Sequence, residues 1–331
     1  MNWNYKDIIL IIVLLLVLIL TGVLAAKWGS APISWSQFWQ WDLTEMQQTI
    51  ILKLRLPRIV LAALVGIALA SSGTTFQGLF KNSMADPYVI GISSGASLGA
   101  AIAINYGFDS YWGGISLVSL FSFIGALITV LIVYKLAEVG GRVPVGTLLL
   151  AGIALSFFLS ALVSLIMILN QQSLQQIVYW LMGSLSASNW QEVRMVAPIV
   201  IIAWWIIYYF AEDLNIMLLG DETAHYLGVT VSKVKLILLV TASLLTGIAV
   251  SVSGIIGFVG LIIPHIVRLL TGPNHRILLP TSALVGGIFL IITDTAARTI
   301  LAPTEIPVGI ITALCGAPFF MYLLQQKEVR F

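Results

Sequence analysis

Arginines gather immediately before a long charge-free segment of this sequence. Arg55 and Arg58 stand in the run Arg55-Leu-Pro-Arg58, and residues 59–80 carry no charge. A guanidinium group offers a rigid fork of donors that matches a carboxylate, so this pair is suited to docking an acidic partner. It is equally suited to bonding lipid headgroups, because long basic side chains extend toward the membrane surface. The residues alone leave these two interpretations level.

A second charged pair stands near the end of another apolar run. Asp294 and Arg298 are four residues apart, so on a helix they share a face and can form an ion pair. Charges inside a membrane segment are costly, and such a pair neutralises both. A proton relay through Asp294 is the alternative chemistry. We expect the structural pair, with Arg298 on the same side of the membrane as Arg55 and Arg58.

Several polar side chains lie inside or beside apolar runs and are candidates for a transport path. They are Gln77, Ser93, Ser94 and Thr312. Such groups line a pore in some membrane proteins and only bond between helices in others, and both interpretations stay open here. The three histidines and the single cysteine show no spacing typical of metal ligands, so we expect no metal site and no cofactor.

Composition places the chain in a membrane. Hydrophobic residues make up 59% of it and charged residues 9%, whereas soluble domains carry about 25% charged residues. The net charge of +2 is dispersed, and no basic run indicates nucleic acid as a partner. Apolar runs, charge-free except for Arg268 in the eighth, predict ten transmembrane helices. They cover residues 8–26, 59–78, 90–106, 115–134, 147–169, 195–210, 236–252, 256–270, 277–293 and 306–324.

The predicted fold is all-α, a polytopic membrane protein with one transmembrane domain over residues 1–331. Its first half covers residues 1–211, a polar loop covers 212–235, and the second half covers 236–331. The charge-free stretch 236–267 is too short for two full crossings, and Ser253-Gly254 and Gly257 predict a break within it. Ten spans put both termini on one side, and the excess of lysine and arginine on that side predicts that it is the cytoplasm.

A weak internal echo indicates an inverted-repeat organisation. Ser72-Gly73-Thr-Thr-Phe76-Gln-Gly78-Leu79 resembles Ser253-Gly254-Ile-Ile-Gly-Phe258-Val-Gly260-Leu261 with one residue inserted. Inverted repeats are common in transporters, where the transport route lies at the interface between the repeats.

The polar loop 212–235 carries apolar residues at helical spacing. Asp221 and Glu222 suit the start of a short helix, and Gly228 suits its end. Ala224 and Leu227 are three residues apart and are expected to share one apolar face. Packing on the chain itself would use such a face, but a helix seated in a partner's groove would use it too. We interpret the loop as a coupling segment of the second kind.

Eight short motifs, in order along nearly the whole chain, resemble the permease family of ATP-binding-cassette (ABC) importers for iron-siderophores, heme and cobalamin, the type II importers. They are Arg55-Leu-Pro-Arg58, Asn82-Ser-Met-Ala-Asp86-Pro87, Gly91-Ile-Ser-Ser-Gly95-Ala96, Trp180-Leu-Met-Gly183-Ser184-Leu185, Leu227-Gly228-Val229, Gly257-Phe-Val-Gly-Leu-Ile-Ile-Pro264-His265, Asp294-Thr-Ala-Ala-Arg298 and Glu305-Ile-Pro307-Val-Gly309. One departure is Ser83, where the family usually has proline.

The resemblance implies a dimer of permeases, either identical chains or relatives, with two cytoplasmic ATPases and an extracytoplasmic binding protein. It implies that arginines at the positions of Arg55, Arg58 and Arg298 meet glutamates of the binding protein. It also implies that the ATPase-coupling helices lie in the loop 212–235 and that a cytoplasmic gate is lined by Asn82, Met84 and Pro144.

We therefore expect a permease subunit in the cell membrane, surrounded by lipid, that performs no covalent chemistry itself. Its cargo would be an iron-siderophore, with heme and cobalamin as the next choices. The rival expectation is a secondary transporter driven by protons or sodium through Asp86, Asp294 or Glu305. Such a transporter has no need of apolar coupling helices facing the solvent.

Overall fold

The structure is a computed structural model that describes residues 4–29, 34–108, 111–112, 115–140 and 143–325. The helices are α1 (Tyr5–Lys27), α2 (Trp35–Gln40), α3 (Glu45–Thr49), α4 (Leu56–Leu79), α5 (Ile92–Asn105), α6 (Leu117–Ala137), α7 (Val145–Leu169), α8 (Gln171–Leu181), α9 (Trp190–Tyr209), α10 (Ala211–Leu218), α11 (Asp221–Tyr226), α12 (Val231–Ser253), α13 (Val259–Thr271), α14 (His275–Thr299) and α15 (Val308–Gln325). A π-helical stretch, Ile50–Arg55, leads into α4, and a 3-10 turn, Pro87–Ile90, precedes α5. Strands β1 (Tyr111–Trp112) and β2 (Ile115–Ser116) form a small antiparallel pair before α6.

The ten predicted apolar runs each correspond to one helix. Within the described ranges, seven helical segments are long and apolar enough to cross a membrane. Three shorter apolar helices, α5, α13 and α15, account for the remaining runs. The all-α, polytopic fold is therefore confirmed. The predicted cytoplasmic termini include residues 1–3 and 326–331, which lie outside the described residues.

The helices define two opposite ends of the molecule. α4 has 24 residues and is about 36 Å long. Arg58 lies in its first turn, and Lys81, just beyond its last turn, contacts Asp221 at 3.1 Å. α14 runs the other way, because its Asp294 contacts Arg58 and its first residue, His275, lies at the far end of α4. We call these the arginine end, with Arg55, Arg58 and Arg298, and the Asp221 end.

The first and last described helices run in opposite directions, so the chain enters and leaves the bundle on the same side. The carbonyl of Ala25, near the end of α1, accepts a hydrogen bond from Arg298, so α1 begins toward the Asp221 end. α15 follows the segment that leaves α14 at the arginine end and therefore finishes toward the Asp221 end. An even number of crossings has this property, as predicted.

α4 is enclosed by other helices, and glycines permit the enclosure. In the most apolar 18 residues of the helical segment Glu45–Leu79, which includes α4, about 83% are buried. In α1 the corresponding share is 6%, so its surface is left for lipid. Helices gain little hydrophobic free energy by associating in a bilayer, so they approach through small residues. A Cβ on Gly66 would collide with the carbonyl of Gly286 on α14, and one on Gly73 would collide with that of Gly260 on α13.

The predicted break between the seventh and eighth apolar runs is present. α12 ends at Ser253, residues 254–258 are not helical, and α13 begins at Val259. Gly254 has a positive φ of 66°, and a Cβ there would collide with the carbonyl of Trp180. Ser184 donates its backbone N–H to the Ser253 carbonyl at 2.7 Å. Non-helical backbone at membrane depth is stable where protein satisfies its polar groups, as it does here.

The two segments of the internal echo meet. Gly73 packs against Gly260, and the Gln77 Nε2 donates to the Leu261 carbonyl at 3.0 Å. The second segment therefore packs on the carboxyl-terminal third of the enclosed helix.

We predict that Gly66→Ala lowers the melting temperature of the purified protein in detergent. Alanine improves helix propensity by about 1 kcal/mol, but overpacking against a backbone carbonyl costs about 1–3 kcal/mol. Gly146→Ala is the matched control, because Gly146 lies in the first turn of α7 and a Cβ there meets nothing within 4 Å. Equal melting temperatures for both variants would show that α4 and α14 are not held at this distance.

Candidate functional site

Arg58 is the centre of an ion-pair network at the arginine end. Its Nε donates to both carboxylate oxygens of Asp294 at 3.0 Å, and its Nη2 donates to Oδ1 at 2.9 Å. Its Nη1 donates to Glu305 at 3.1 Å (Oε1) and 2.8 Å (Oε2). The Asp294 side chain is 1% exposed and that of Glu305 is 42% exposed. One carboxylate is therefore sealed inside the protein, and the other is open to the solvent.

The expected pair of Asp294 and Arg298 is present, but it is not the closest ion pair of Asp294. The Nε of Arg298 lies 3.9 Å from Asp294 Oδ2, whereas Arg58, on another helix, makes the short contacts. The i, i+4 spacing placed Arg298 correctly on the face of Asp294. The principal partner comes from packing α4 against α14, which spacing along one helix does not report.

The other two arginines bind the carboxyl end of α1. Arg298 donates to the carbonyl of Ala25, and the Nη1 of Arg55 donates to those of Ala26 and Lys27 at 2.9 and 2.8 Å. The last carbonyls of a helix lack partners within the helix and carry partial negative charge, so two guanidinium groups are well placed there. The three arginines are each less than 9% exposed. They therefore meet at one end of the molecule, as expected, but bond within the chain.

The structure separates the candidate path residues by burial. Gln77 and Thr312 are buried: Gln77 bonds to α13, and the Thr312 hydroxyl donates to the Gly309 carbonyl of its own helix at 3.1 Å. Ser93 and Ser94 are half-buried in the first turn of α5. Of the two alternatives left open for these groups, bonding between helices describes Gln77.

The candidate gate residues lie at the Asp221 end. Asn82 is exposed, and its Oδ1 accepts the backbone N–H of Met84 at 2.8 Å, which closes the turn after α4. Pro144 is exposed and caps α7. It also lines a cavity of about 620 Å³, whose wall includes Phe80, Asp221 and Lys235. The ends of α4, α7 and α12 therefore surround an open space beside α11.

Asp221 anchors α11 to two other helices. Its carboxylate contacts Lys81, after α4, at 3.1 Å, and it also pairs with Lys235 on α12. Burial alone would raise the pKa of Asp221, but the hydrogen bonds and charges of Lys235 and Lys81 outweigh it and lower the pKa. The carboxylate is therefore ionised throughout the neutral range.

The apolar face expected on α11 is not the observed one. Ala224 is fully buried against this chain, whereas Leu227 is 59% exposed and the neighbouring Tyr226 is 88% exposed. The helix ends at Tyr226, Leu227 caps it by donating its backbone N–H to the Thr223 carbonyl at 3.0 Å, and Gly228 follows with a positive φ of 90°. The expectation that these two share a face is wrong, and the exposed apolar pair is Tyr226 and Leu227. Glu222, the residue after Asp221, is exposed.

Glu305 is the residue whose role sequence reasoning missed. The sequence suggests it only as a proton or sodium site of the rival transporter. In the structure, its position after α14 places its carboxylate on Arg58. Among the described residues, no three histidine, cysteine or acidic side chains come together as metal ligands would. The site is therefore one of ion pairs, helix ends and exposed apolar side chains.

Apolar helices long enough to cross a membrane, a break between α12 and α13, and polar groups at both ends of the bundle are typical of a membrane transport protein. The chain belongs to the FecCD transport family, whose model matches residues 14–326. It is a permease subunit of an ABC importer, and the subunits of this family are transport components rather than enzymes. This membership does not favour the secondary-transporter alternative.

Two curated relatives show how far the similarity extends. The cobalamin import system permease BtuC of Halobacterium salinarum is 46% identical over 92% of this chain and 80% of its own length. The hemin transport permease HmuU of Yersinia pestis is 40% identical over 100% of this chain and 99% of its own. A solved structure, an inward-facing conformation of a transporter assigned to the metal-chelate ABC type, superimposes with a TM-score of 0.86. It is 34% identical and covers 97% of this chain and 99% of that one.

We predict that Asp294→Asn destabilises the protein by roughly 3 kcal/mol, because removing one partner of a buried ion pair leaves the other charge uncompensated. Glu212→Gln is the control. It breaks the pair between Glu212 and Arg276, at 3.0 Å with side chains 52% and 37% exposed, and such a pair contributes less than about 1 kcal/mol. Equilibrium unfolding in mixed micelles measures both. Similar losses for the two variants would contradict a structural role for Asp294.

Proposed function

We propose that this chain is the membrane-spanning subunit through which an iron-siderophore complex enters the cytoplasm, with heme or cobalamin as the next candidates. The observation that carries the proposal is the pairing of two opposite features on a FecCD-family fold. Three arginines gather at one end, and an exposed apolar helix terminus lies at the other. A subunit between an acidic delivery protein and an ATPase needs both.

The proposed partners follow from these ends. A second permease chain, identical or related, completes a route between two subunits. An extracytoplasmic binding protein docks at the arginine end, where Arg55, Arg58 and Arg298 supply the positive charge. Two ATPases bind at the Asp221 end, which we place in the cytoplasm together with both termini.

Coupling to the ATPase is assigned to α10, α11 and the residues that follow. Tyr226 and Leu227 offer an apolar surface that the described residues leave exposed, and a short helix with such a surface fits a groove on a partner. Asp221 ties α11 to Lys81 and Lys235, so a push on α11 reaches both α4 and α12. The same movement reaches Asn82, Met84 and Pro144, which we propose as the gate. Gln77, Ser93, Ser94 and Thr312 are proposed along the path.

The cargo is proposed from the range of the family. Relatives carry names for cobalamin, hemin, iron(3+)-citrate, iron(3+)-hydroxamate and molybdate at 34–46% identity, so identity alone does not choose among them. Uptake in proteoliposomes tests the proposal: the permease, its ATPases and its binding protein should import a ferric siderophore only when ATP is supplied on the ATPase side. Uptake driven by a proton or sodium gradient without ATP would support the secondary transporter instead.

We predict that Glu222→Cys is shielded from membrane-impermeant thiol reagents in intact cells, whereas Met46→Cys is labelled. Both positions are exposed, and they lie at opposite ends of the bundle. The native cysteine, Cys315, is also exposed and is first replaced by serine. Permeabilising the cells should make position 222 reactive. Labelling of position 222 but not of position 46 in intact cells would show that the orientation is opposite to the one proposed.

We predict that Leu227→Arg abolishes co-purification of the ATPase and ATP-driven uptake while leaving the permease folded. An arginine would place an unpaired charge in an apolar groove, which is costly. Met46→Arg is the matched control, because Met46 is 75% exposed at the arginine end and should keep its ATPase. Ala224→Arg is not an informative test, since Ala224 is buried in this chain. If Leu227→Arg retained its ATPase fully, the ATPase would not bind at this surface.

A further inference from the structure

We propose that Glu305 occupies, in the free permease, the position that a carboxylate of the docking partner takes on Arg58. Docking is then an exchange of one carboxylate for another on the same guanidinium group. This inference rests on the docking role proposed above, and it adds the atoms involved and an internal competitor.

The two carboxylates on Arg58 are held in different ways. Asp294 takes the Nε and Nη2 side of the guanidinium group and is 1% exposed. Glu305 takes only Nη1 and is 42% exposed. An ion pair with a solvent-exposed partner contributes little to stability, whereas a sealed pair is costly to open. Glu305 is therefore the carboxylate that can leave.

The chain around Glu305 permits its release. Residues 300–307, between α14 and α15, form no helix. The next residue, Ile306, is fixed separately by its backbone N–H, which donates to the Ala297 carbonyl at 3.0 Å. The Glu305 side chain can thus rotate into the solvent while the backbone on its carboxyl side stays attached.

The charge balance favours an incoming anion. Arg58 and Arg298 lie at this end, and their carboxylate contacts among the described residues are Asp294 and Glu305. The carbonyls at the end of α1 add only partial negative charge. When Glu305 swings out, Arg58 presents a free edge in a site that carries an excess of positive charge, and a glutamate or aspartate of the partner fits it.

The experiment measures the affinity of the permease, reconstituted in nanodiscs with its ATPases, for its binding protein at low salt. Glu305→Gln removes the internal competitor and should tighten binding roughly two- to fivefold, the value of one exposed ion pair. Glu45→Gln is the matched control, because Glu45 is an exposed carboxylate at the same end in α3. It removes the same charge from the surface and should change affinity much less.

A double-mutant cycle separates exchange from a general field effect. Arg58→Lys keeps a positive charge beside Asp294 but loses the fork, so it should weaken docking, and Glu305→Gln should give no gain in that background. A gain of equal size in both backgrounds, equal gains for Glu305→Gln and Glu45→Gln, or weaker binding by Glu305→Gln would each overturn the exchange. Unchanged affinity of Arg58→Lys would instead contradict docking at Arg58 itself, and the exchange with it.

Discussion

The enclosure of α4 is the constraint on which the rest of the structure depends. A helix surrounded by protein at membrane depth gains little from hydrophobicity, since lipid is as apolar as its neighbours. It is held instead by close backbone contact at Gly66 and Gly73 and by a charged clasp at Arg58. The same helix extends from the arginine end to Lys81, beside α11. Both proposed partner surfaces are therefore attached to one rigid element.

The break between α12 and α13 serves this arrangement. The interruption at residues 254–258 accompanies the contact of Gly260 and Leu261 with the carboxyl-terminal third of α4, at Gly73 and Gln77. The Ser253 carbonyl at the end of α12 accepts a hydrogen bond from the backbone N–H of Ser184, in the turn after α8. Transporters place broken helices where substrate passes, and this junction is the feature of that kind in the described residues.

Much of the fold could be predicted from the sequence, because a bilayer demands long charge-free runs and glycine marks the breaks. The ten runs and the interruption after Ser253 follow from those two rules. Pairing between distant helices does not. Spacing pointed from Asp294 to Arg298, whereas Arg58 makes the short contacts. Likewise, spacing joined Ala224 to Leu227, but the packing of α11 buries Ala224 and leaves Leu227 exposed.

The distance along the chain between Arg58 and Asp294 has a consequence for biosynthesis. The two partners are 236 residues apart, so α4 enters the membrane long before its counter-ion has been translated. Arg55 finds the carbonyls of α1 already present, because α1 is inserted first. Arg58 has to wait at the headgroup layer until α14 arrives. The ion-pair network at the arginine end is thus completed only after α14 and Glu305 have been made, late in the synthesis of the chain.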